Sequence, residues 1–464
     1  MKWIYFLPGI LFSVILFSCK KDGLSTGRGL YSSADTLKFD TVFTSAGSVT
    51  RSFKIINDRD QAVTLSSVKL MGGASSVYKM NVNGTVATEQ NNVSIAANDS
   101  IYIFVSALID PNSSTNPFLL TDSIAYSYNG STNFVQLQAY GRNAVFLTNQ
   151  TISSNTSWSN TLPYVIIGSL KVAQNVTLTV AAGTRVYARA NAFIEVDGTL
   201  LVNGTRADPV IFRGDRLDAP YSNYPAGWDG IYFNQSSKDN RLVFAEIKNA
   251  YQALVADGPS VNSDPKLVIQ QCIIDNAYNT GLFCNNSSVD VNNSLISNCS
   301  KNIFIQLGGN YNFTNCTVAA YATNYLFHTN PAVLLQNFAN TNTGTVYGNL
   351  DAVFTNCIIW GSAGNINDEL VLDKQGSSSF NVLVQNCIYR ADAPSANATY
   401  TNALRNSDPL FDNIDIQNNA YDFHTAIDAA APGINTGQTT SLLKDLDDNN
   451  RAVGIPDIGC YEKQ

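Results

Sequence analysis

A short phrase recurs along the carboxyl half of the chain: Phe244-Ala245-Glu246-Ile247-Lys248-Asn249-Ala250, Gln271-Cys272-Ile273-Ile274-Asp275-Asn276-Ala277, Asn293-Ser294-Leu295-Ile296-Ser297-Asn298-Cys299 and Asn315-Cys316-Thr317-Val318. With the small residue as register mark, positions 245, 272, 294, 316, 357 and 387 lie 27, 22, 22, 41 and 30 residues apart. Two consecutive intervals of 22 set a period. The longer intervals fit one coil with an inserted loop, or two coils in the interval of 41. Short β-branched strands repeated at this length, with Asn and Gly at the corners, predict a solenoid whose coils stack strands in parallel about 4.8 Å apart.

Stacking places like residues on like. Cys272, Ser294, Cys316, Cys357 and Cys387 should form one inward column of small side chains. Beside them Gln271, Asn293, Asn315, Asn356 and Asn386 should form an amide ladder, each side chain donating to the next coil as amides do in cross-β stacks. Stacked charges would repel, which explains a chain with 53 Asn but only 14% charged residues. Seven Cys follow Cys19, an odd number without a Cys-x-x-Cys pair. Parallel Cβ vectors on adjacent coils keep sulfurs too far apart for a bond of about 2.05 Å, so buried free thiols are expected.

The amino half reads differently. Strand-like runs recur at 36–43, 50–57, 63–70, 100–107, 123–128 and 134–140, several of them alternating, as in Ile101, Ile103 and Val105 against Tyr102, Phe104 and Ser106. About a hundred residues of this pattern suit an antiparallel sandwich of immunoglobulin type. It holds no Cys and no His, so neither a disulfide nor a metal site is expected there.

Before it, Lys2 precedes sixteen uncharged residues, Trp3 to Ser18, too few for a membrane span of about 20 and suited to the apolar region of a signal peptide. Leu16-Phe17-Ser18-Cys19 resembles a bacterial lipobox, which implies lipidation at Cys19 and a membrane partner through the lipid anchor. Cys19-Lys20-Lys21-Asp22 is similar to the export tag of Bacteroidetes surface lipoproteins, and four Asp-Ser/Thr-aliphatic triplets, at 35–37, 40–42, 99–101 and 122–124, are similar to the O-glycosylation motif of that phylum.

The segments Leu178 to Val186, Ile194 to Leu200, Pro209 to Phe212 and Trp228 to Phe233 resemble the first coils of right-handed parallel β-helix, pectin-lyase-like proteins. Ser407-Asp408-Pro409-Leu410-Phe411, Tyr421 to His424, Asp445 to Arg451 and Pro456-Asp457-Ile458-Gly459-Cys460-Tyr461-Glu462 resemble a carboxyl-terminal cap of secreted bacterial β-helix proteins. The whole chain looks like a Bacteroidetes surface lipoprotein with a β-helix body, a likeness that implies an architecture and no activity. The expected organisation is all-β: a signal peptide at 1–18, a lipid-anchored tether at 19–34, an immunoglobulin-like β-sandwich at 35–143, a right-handed parallel β-helix solenoid at 144–404 and its cap at 405–464.

Function is bounded mostly by exclusion. With Lys+Arg 28 against Asp+Glu 36 and no basic run beyond Lys20-Lys21, no nucleic-acid partner is expected. Two His, His328 and His424, leave no three-His metal site and make a Ser-His-Asp triad improbable. Polysaccharide hydrolases of this fold display Asn-Thr-Asp, paired Asp and Gly-His-Gly on neighbouring coils. The chain has neither the first nor the last, nor the Trp-x-Asp-His and Arg-x-Pro-x-x-Arg strings of pectate lyases. No catalytic residue and no metal site is therefore assigned. Asp445-x-Asp447-x-Asn449 leaves calcium as the one cofactor to consider, but Asn450 and Pro456 stand where an EF-hand needs Gly and Glu.

One stretch remains. Residues 213–229 concentrate both charge signs and aromatics in a chain poor in charge: Arg213, Asp215, Arg216, Asp218, Tyr221, Tyr224, Trp228 and Asp229. Aromatic faces against sugar rings, with carboxylates and guanidinium on hydroxyls, suit a glycan groove. The alternative is an ordered loop in which Arg216 pairs with Asp218 or Asp229 and Tyr221 packs on the coil. The expectation is a lipid-anchored protein of the bacterial outer membrane, at the cell surface, that binds polysaccharide or host-matrix glycan without chemistry. A β-helix lyase or glycoside hydrolase with divergent motifs is the first alternative, and a purely structural envelope component the second.

Overall fold

The computed structural model describes residues 29–44, 47–110, 117–362, 366–426, 430–451 and 454–463. Cys19 and the signal segment lie outside them. Among the described residues no helix is long and apolar enough to cross a membrane. The chain divides into two compact units, with the main boundary between Ala139 and Tyr140.

The amino-terminal unit is two five-stranded sheets. One runs in the order Leu30–Ser32, Arg51–Asn57, Asp99–Ala107, Tyr78–Val82, Thr85–Val86, and the other Thr36–Phe43, Ser131–Arg142, Phe118–Tyr128, Val63–Leu70, Glu89–Ile95. Alternation decides which face is buried: Ile101, Ile103 and Val105 are buried, whereas Tyr102 and Phe104 are exposed. Leu30–Ser32 falls in the stretch read as tether, yet pairs antiparallel to Arg51–Asn57, with Leu30 opposite Asn57. The strand Glu89–Ile95 begins with polar residues and turns through Asn92 at φ 56°, so its alternation is broken. In three of the Asp-Ser/Thr-aliphatic triplets the Asp carboxylate accepts the next residue's own N–H, for Thr41, Ser100 and Ser123 at 3.0, 2.7 and 2.7 Å.

The second unit winds a 26-stranded parallel sheet into a three-faced β-helix. The repeated phrase forms one face, here the repeat face: Ala245–Lys248, Ile273–Asp275, Leu295–Ser297, Thr317–Ala320, Ile358–Gly361 and Ile388–Tyr389. Ile273 pairs with Leu295, Leu295 with Thr317, Thr317 with Ile358 and Ile358 with Ile388. The interval of 41 is thus one coil, not two. Its extra length leaves the solenoid as the loop 321–332 and as the hairpin of Phe338–Thr341 with Gly344–Tyr347.

Asn marks the corners because it tolerates a left-handed backbone better than other side chains do. Two of the repeat-face strands lie between a pair of left-handed amide residues: Ile273–Asp275 between Gln271 and Asn276 (φ 52° and 57°), and Leu295–Ser297 between Asn293 and Asn298 (φ 46° and 52°). The small column is in place and inaccessible, with Cys272, Ser294, Cys316, Cys357 and Cys387 all at 0% exposure. The Ser294 hydroxyl accepts the Cys272 N–H at 3.1 Å, and the Cys387 sulfur the Cys357 N–H at 3.2 Å. All seven described cysteines are free and buried, and burial pushes the Cys272 thiol up to about 12.

The amide ladder is corrected by the structure. Asn356 reaches Asn315 only at 3.5 Å. The amides mainly hold the carboxyl-terminal segment, which lies lengthwise along the solenoid. Asn386 donates to the Thr436 carbonyl (3.2 Å), Asn356 to Gln438 (2.8 Å), Asn293 to Lys444 (2.6 Å) and Gln271 to Asp445 (2.7 Å). A ladder donating along its own axis would leave these carbonyls unpaired, and burying them so would cost more than the ladder gains. The segment read as a cap is therefore a strap running back over earlier coils. It also covers the outer side of the repeat face, where Leu295 packs with Phe423, Leu446 and Cys460, and Ile358 and Ile388 pack with Ile458. Double-sided burial is why the repeated phrase is apolar at consecutive positions and does not alternate.

Candidate functional site

On the other corner of the repeat face the solenoid carries a cleft of about 270 Å³. Three excursions of the chain line it with the coils: the loop 213–229, the loop 321–332, and the hairpin Phe411–Asp415 with Ala420–Thr425. Asn324 joins two of them, its N–H donating to Asn419 Oδ1 at 2.9 Å, and the Tyr421 hydroxyl donates to the Ala322 carbonyl at 2.6 Å. Among the described residues, no aliphatic side chain lines the cleft. Six Asn do (223, 249, 276, 298, 418 and 419), with Arg213, Lys248, Asp275, Tyr325 and Tyr421.

The left-handed corner residues Asn249, Asn276 and Asn298 line it from three successive coils. Asn249 donates to the Ser222 carbonyl at 2.6 Å, and Asn276 to Asn223 O at 3.0 Å and to Asn249 Oδ1 at 2.9 Å. Asn298 Nδ2 donates to Asp275 at 3.2 Å, and the Ser297 hydroxyl to the same carboxylate at 2.8 Å. Burial raises Asp275 above the usual carboxylate range, although Lys248 and these two donors oppose it. Lys248 pairs with Glu246 at 3.0 Å. Three buried polar atoms of lining residues have no hydrogen-bond partner: Arg213 Nε, Asn276 Oδ1 and Asn298 Oδ1.

Of the residues singled out in 213–229, only Arg213 lines the cleft, its Nη2 donating to Ser222 O at 2.6 Å. Tyr224 packs at a tilt against the lining Tyr325 at 4.6 Å and against Tyr221 at 5.1 Å, extending an exposed aromatic edge. Arg216 grips Asp218 with two hydrogen bonds, 2.7 and 2.9 Å, and lies 3.8 Å over the Tyr221 ring, which is the ordered-loop arrangement. Asp215 pairs with Arg189 at 3.3 Å, and burial raises its carboxyl above the ordinary range. Asp229 is half-buried and raised for the same reason. Trp228 is corrected outright: it is 1% exposed in the solenoid core, its indole N–H donating to Lys248 O at 2.9 Å. A groove lined by Arg216, Tyr221, Tyr224 and Trp228 does not form, because the indole is the largest apolar surface of the stretch and is taken by the core. Lys248, Asp275 and Asn298 stand in the repeated phrase and Tyr325 in an inserted loop, but stacking was read only for the small column and the amides beside it, so the meeting of these four in one cleft escaped sequence reasoning.

A second cluster pins the strap. His424 sits between Asp422 and Asp447, 2.5 and 2.7 Å away, and stacks on Tyr461 at 3.7 Å. Asp447 also pairs with Arg206 at 2.7 Å. Asp445, the other acid of the calcium-like string, accepts the N–H groups of Asn449 (2.7 Å) and Glu462 (2.8 Å). Both carboxylates are thus engaged by the protein. Among the described residues no group of three or more His, Cys, Asp or Glu is arranged to hold a metal. His328 is a buried partner of Glu369 at 3.2 Å and of Ser362 at 3.1 Å.

The hydrogen bond to Asp447, reinforced by Asp422, raises His424 from 6.5 to about 9, and burial raises Glu462 from 4.5 to about 7. Both groups bind their proton more tightly in the folded state. Their contribution is complete below the ordinary values and is lost as pH rises through about 7 for Glu462 and about 9 for His424. Hydrogen-exchange protection of 436–451, corrected for intrinsic rates, should therefore fall between pH 6 and 10, and His424→Gln should flatten the upper part of that fall. Protection that stays constant over this range would contradict the assignment.

No protein-family model and no curated protein matches the chain. Among solved structures, it is similar to the catalytic unit of a thermostable family 87 α-1,3-glucanase from Streptomyces thermodiastaticus, at 13% identity over 76% of this chain and 87% of that one, with a TM-score of 0.25. A family 123 glycoside hydrolase from Clostridium perfringens is 13% identical over 27% of this chain and 26% of that one, at a TM-score of 0.19, so the chain spans about a quarter of that enzyme. A Porphyromonas gingivalis protein of unknown function is 9% identical over 27% of this chain and 60% of that one, also at 0.19. Likenesses this distant bring no activity to this chain.

Proposed function

We propose that this is a lipid-anchored bacterial envelope protein, displayed at the cell surface, whose β-helix binds glycan without cleaving it. The observation that carries the reading is the composition of the cleft: amides, two Tyr and paired charges, with no aliphatic side chain. Sugar hydroxyls ask for such dense bidirectional hydrogen bonding, and amides supply both donor and acceptor on one planar group. A hydrolase needs a second carboxylate facing the first across the scissile bond. Among the described residues lining the cleft Asp275 is the only carboxylate, which weighs against a glycoside hydrolase with divergent motifs. Anchoring through Cys19 rests on the lipobox-like sequence and would be lost in a Cys19→Ala variant, which should leave the membrane fraction.

The test is a glycan screen followed by titration of each hit against wild type and Tyr325→Ala. Tyr325 packs at a tilt against Tyr224 at the cleft edge and lies outside the solenoid core. Losing one aromatic platform should weaken binding about tenfold while leaving the unfolding midpoint unchanged. Hits that bind the variant as tightly as wild type would place the glycan elsewhere, and a screen without hits would move the reading to a structural envelope component.

A further inference from the structure

Past the corner residues Asn249, Asn276 and Asn298, the chain enters the next face of the solenoid through Gln252–Asp257, Thr280–Asn292 and Lys301–Thr314. The outer side of this face carries an apolar stripe. Strand pairing sets Tyr232 beside Val255, then Phe283, Phe304, Leu334 and Val371, one residue from each of six consecutive coils. Their neighbours along the strand, such as Leu282 and Cys284 around Phe283, are buried in the core, but none of the six belongs to the core or packs under the strap. Five are partly exposed, and Val255, between Tyr232 and Phe283, is buried. Two residues further along the strands runs a polar column, Asp257, Asn285, Gln306, Gln336 and Asp373, all partly exposed. Asn285 donates to Asp257 at 2.7 Å and Gln336 to Asp373 at 3.0 Å. One donor of each amide is thus engaged, and the column is left rich in acceptors, since a carboxylate accepts at about four sites.

The dimensions of this surface select its occupant. Coils about 4.8 Å apart make the stripe about 24 Å long, while the two columns lie only about 7 Å apart, which gives on the order of 200 Å² in projection. A stable protein interface takes about 800 Å² from each partner, so neither a second copy nor another globular protein is held by this strip alone. An extended peptide laid along the axis would turn side chains to one face about every 6.8 Å, out of step with the coils. A pyranose chain fits both columns: each unit is about as long as one coil, with C–H groups on its ring faces and hydroxyl donors on its edge. The acids of the polar column repel a uronate polymer. We infer that this face is a second carbohydrate surface, separate from the cleft and not dependent on it, which takes an unbranched neutral polysaccharide along the solenoid axis.

The test is electrophoresis of the full chain in native gels containing pullulan, mixed-linkage β-glucan, glucomannan or polygalacturonate. At least one neutral polymer should retard wild type and polygalacturonate should not, and oligosaccharides of the retarding polymer should bind more tightly as they lengthen from disaccharide to hexasaccharide. Phe304→Ser and Leu334→Ser remove apolar surface from the outside of the sheet on neighbouring coils, and each should weaken that binding about tenfold. Tyr325→Ala, at the cleft, should leave it unchanged. Retardation lost in Tyr325→Ala but kept in both stripe variants would place the polymer in the cleft, which overturns this inference and leaves the proposed function standing. No retardation by any neutral polymer, equal retardation by polygalacturonate, or a wild-type dimer that Phe304→Ser turns into a monomer would also overturn it.

Discussion

Arg451→Ala should destabilise the carboxyl-terminal strap by about 3–5 kcal/mol, the usual result of removing one partner from a buried ion pair. The Arg451 and Glu462 side chains are 2% and 4% exposed and meet at 3.1 Å. The guanidinium also donates to Asn293 Oδ1 and to the Gly459 carbonyl, both at 2.9 Å, so it ties a coil of the solenoid to the end of the chain. Without it, Glu462 stays buried near Asp457 and Asp445, which already help to hold its carboxyl high. The unfolding midpoint in urea should drop accordingly. Adding Glu462→Gln should recover part of the loss, because a buried carboxyl without its guanidinium partner must either stay charged or take up a proton. An Arg451→Ala protein within about 1 kcal/mol of wild type would mean that the strap is not fixed at this point.

The amide corners give the second large effect. Asn356 is fully buried at φ 52° and makes its two hydrogen bonds to Gln438. Asn356→Ala removes both bonds, about 0.5–1.5 kcal/mol each, and forces an alanine into the left-handed region at about 1–2 kcal/mol. Its expected cost is about 2–5 kcal/mol. Asn356→Gly loses the bonds but fits the backbone, so it should cost about 1–2 kcal/mol less than Ala. Equal losses in the two variants, measured by urea unfolding, would show that corner geometry is not what selects Asn here.

These two positions also show what could be read in advance. The solenoid was legible because stacking repeats the sequence: Ile273, Leu295 and Thr317 are register partners and occupy the same place in each phrase. The column Cys272, Ser294, Cys316, Cys357, Cys387 followed from the same logic. The partners of the amides were not legible. Gln271 bonds to Asp445 and Asn293 to Lys444, across separations that carry no periodic signal. A clue lay in the phrase itself, since Leu295, Ile358 and Ile388 are apolar where a solvent-facing strand would be polar, so something had to cover that face. The cleft was half legible. Arg213 and Tyr224 belong to a stretch whose composition marked it, but Trp228 in the same stretch is core. Asp275 and Asn298 stand in the repeated phrase, but their meeting with Arg213 and Tyr325 joins segments distant in sequence and appears only in three dimensions.

The central claim is that the cleft binds sugar and leaves it intact. It is tested most directly by incubating the protein with each glycan that it captures and following binding and products in the same sample, with and without calcium. The account predicts saturable binding, weakened by Tyr325→Ala, with no new reducing ends and no unsaturated sugar under either condition. Release of either product by wild type, abolished by Asp275→Asn, would contradict it and make the cleft an active site.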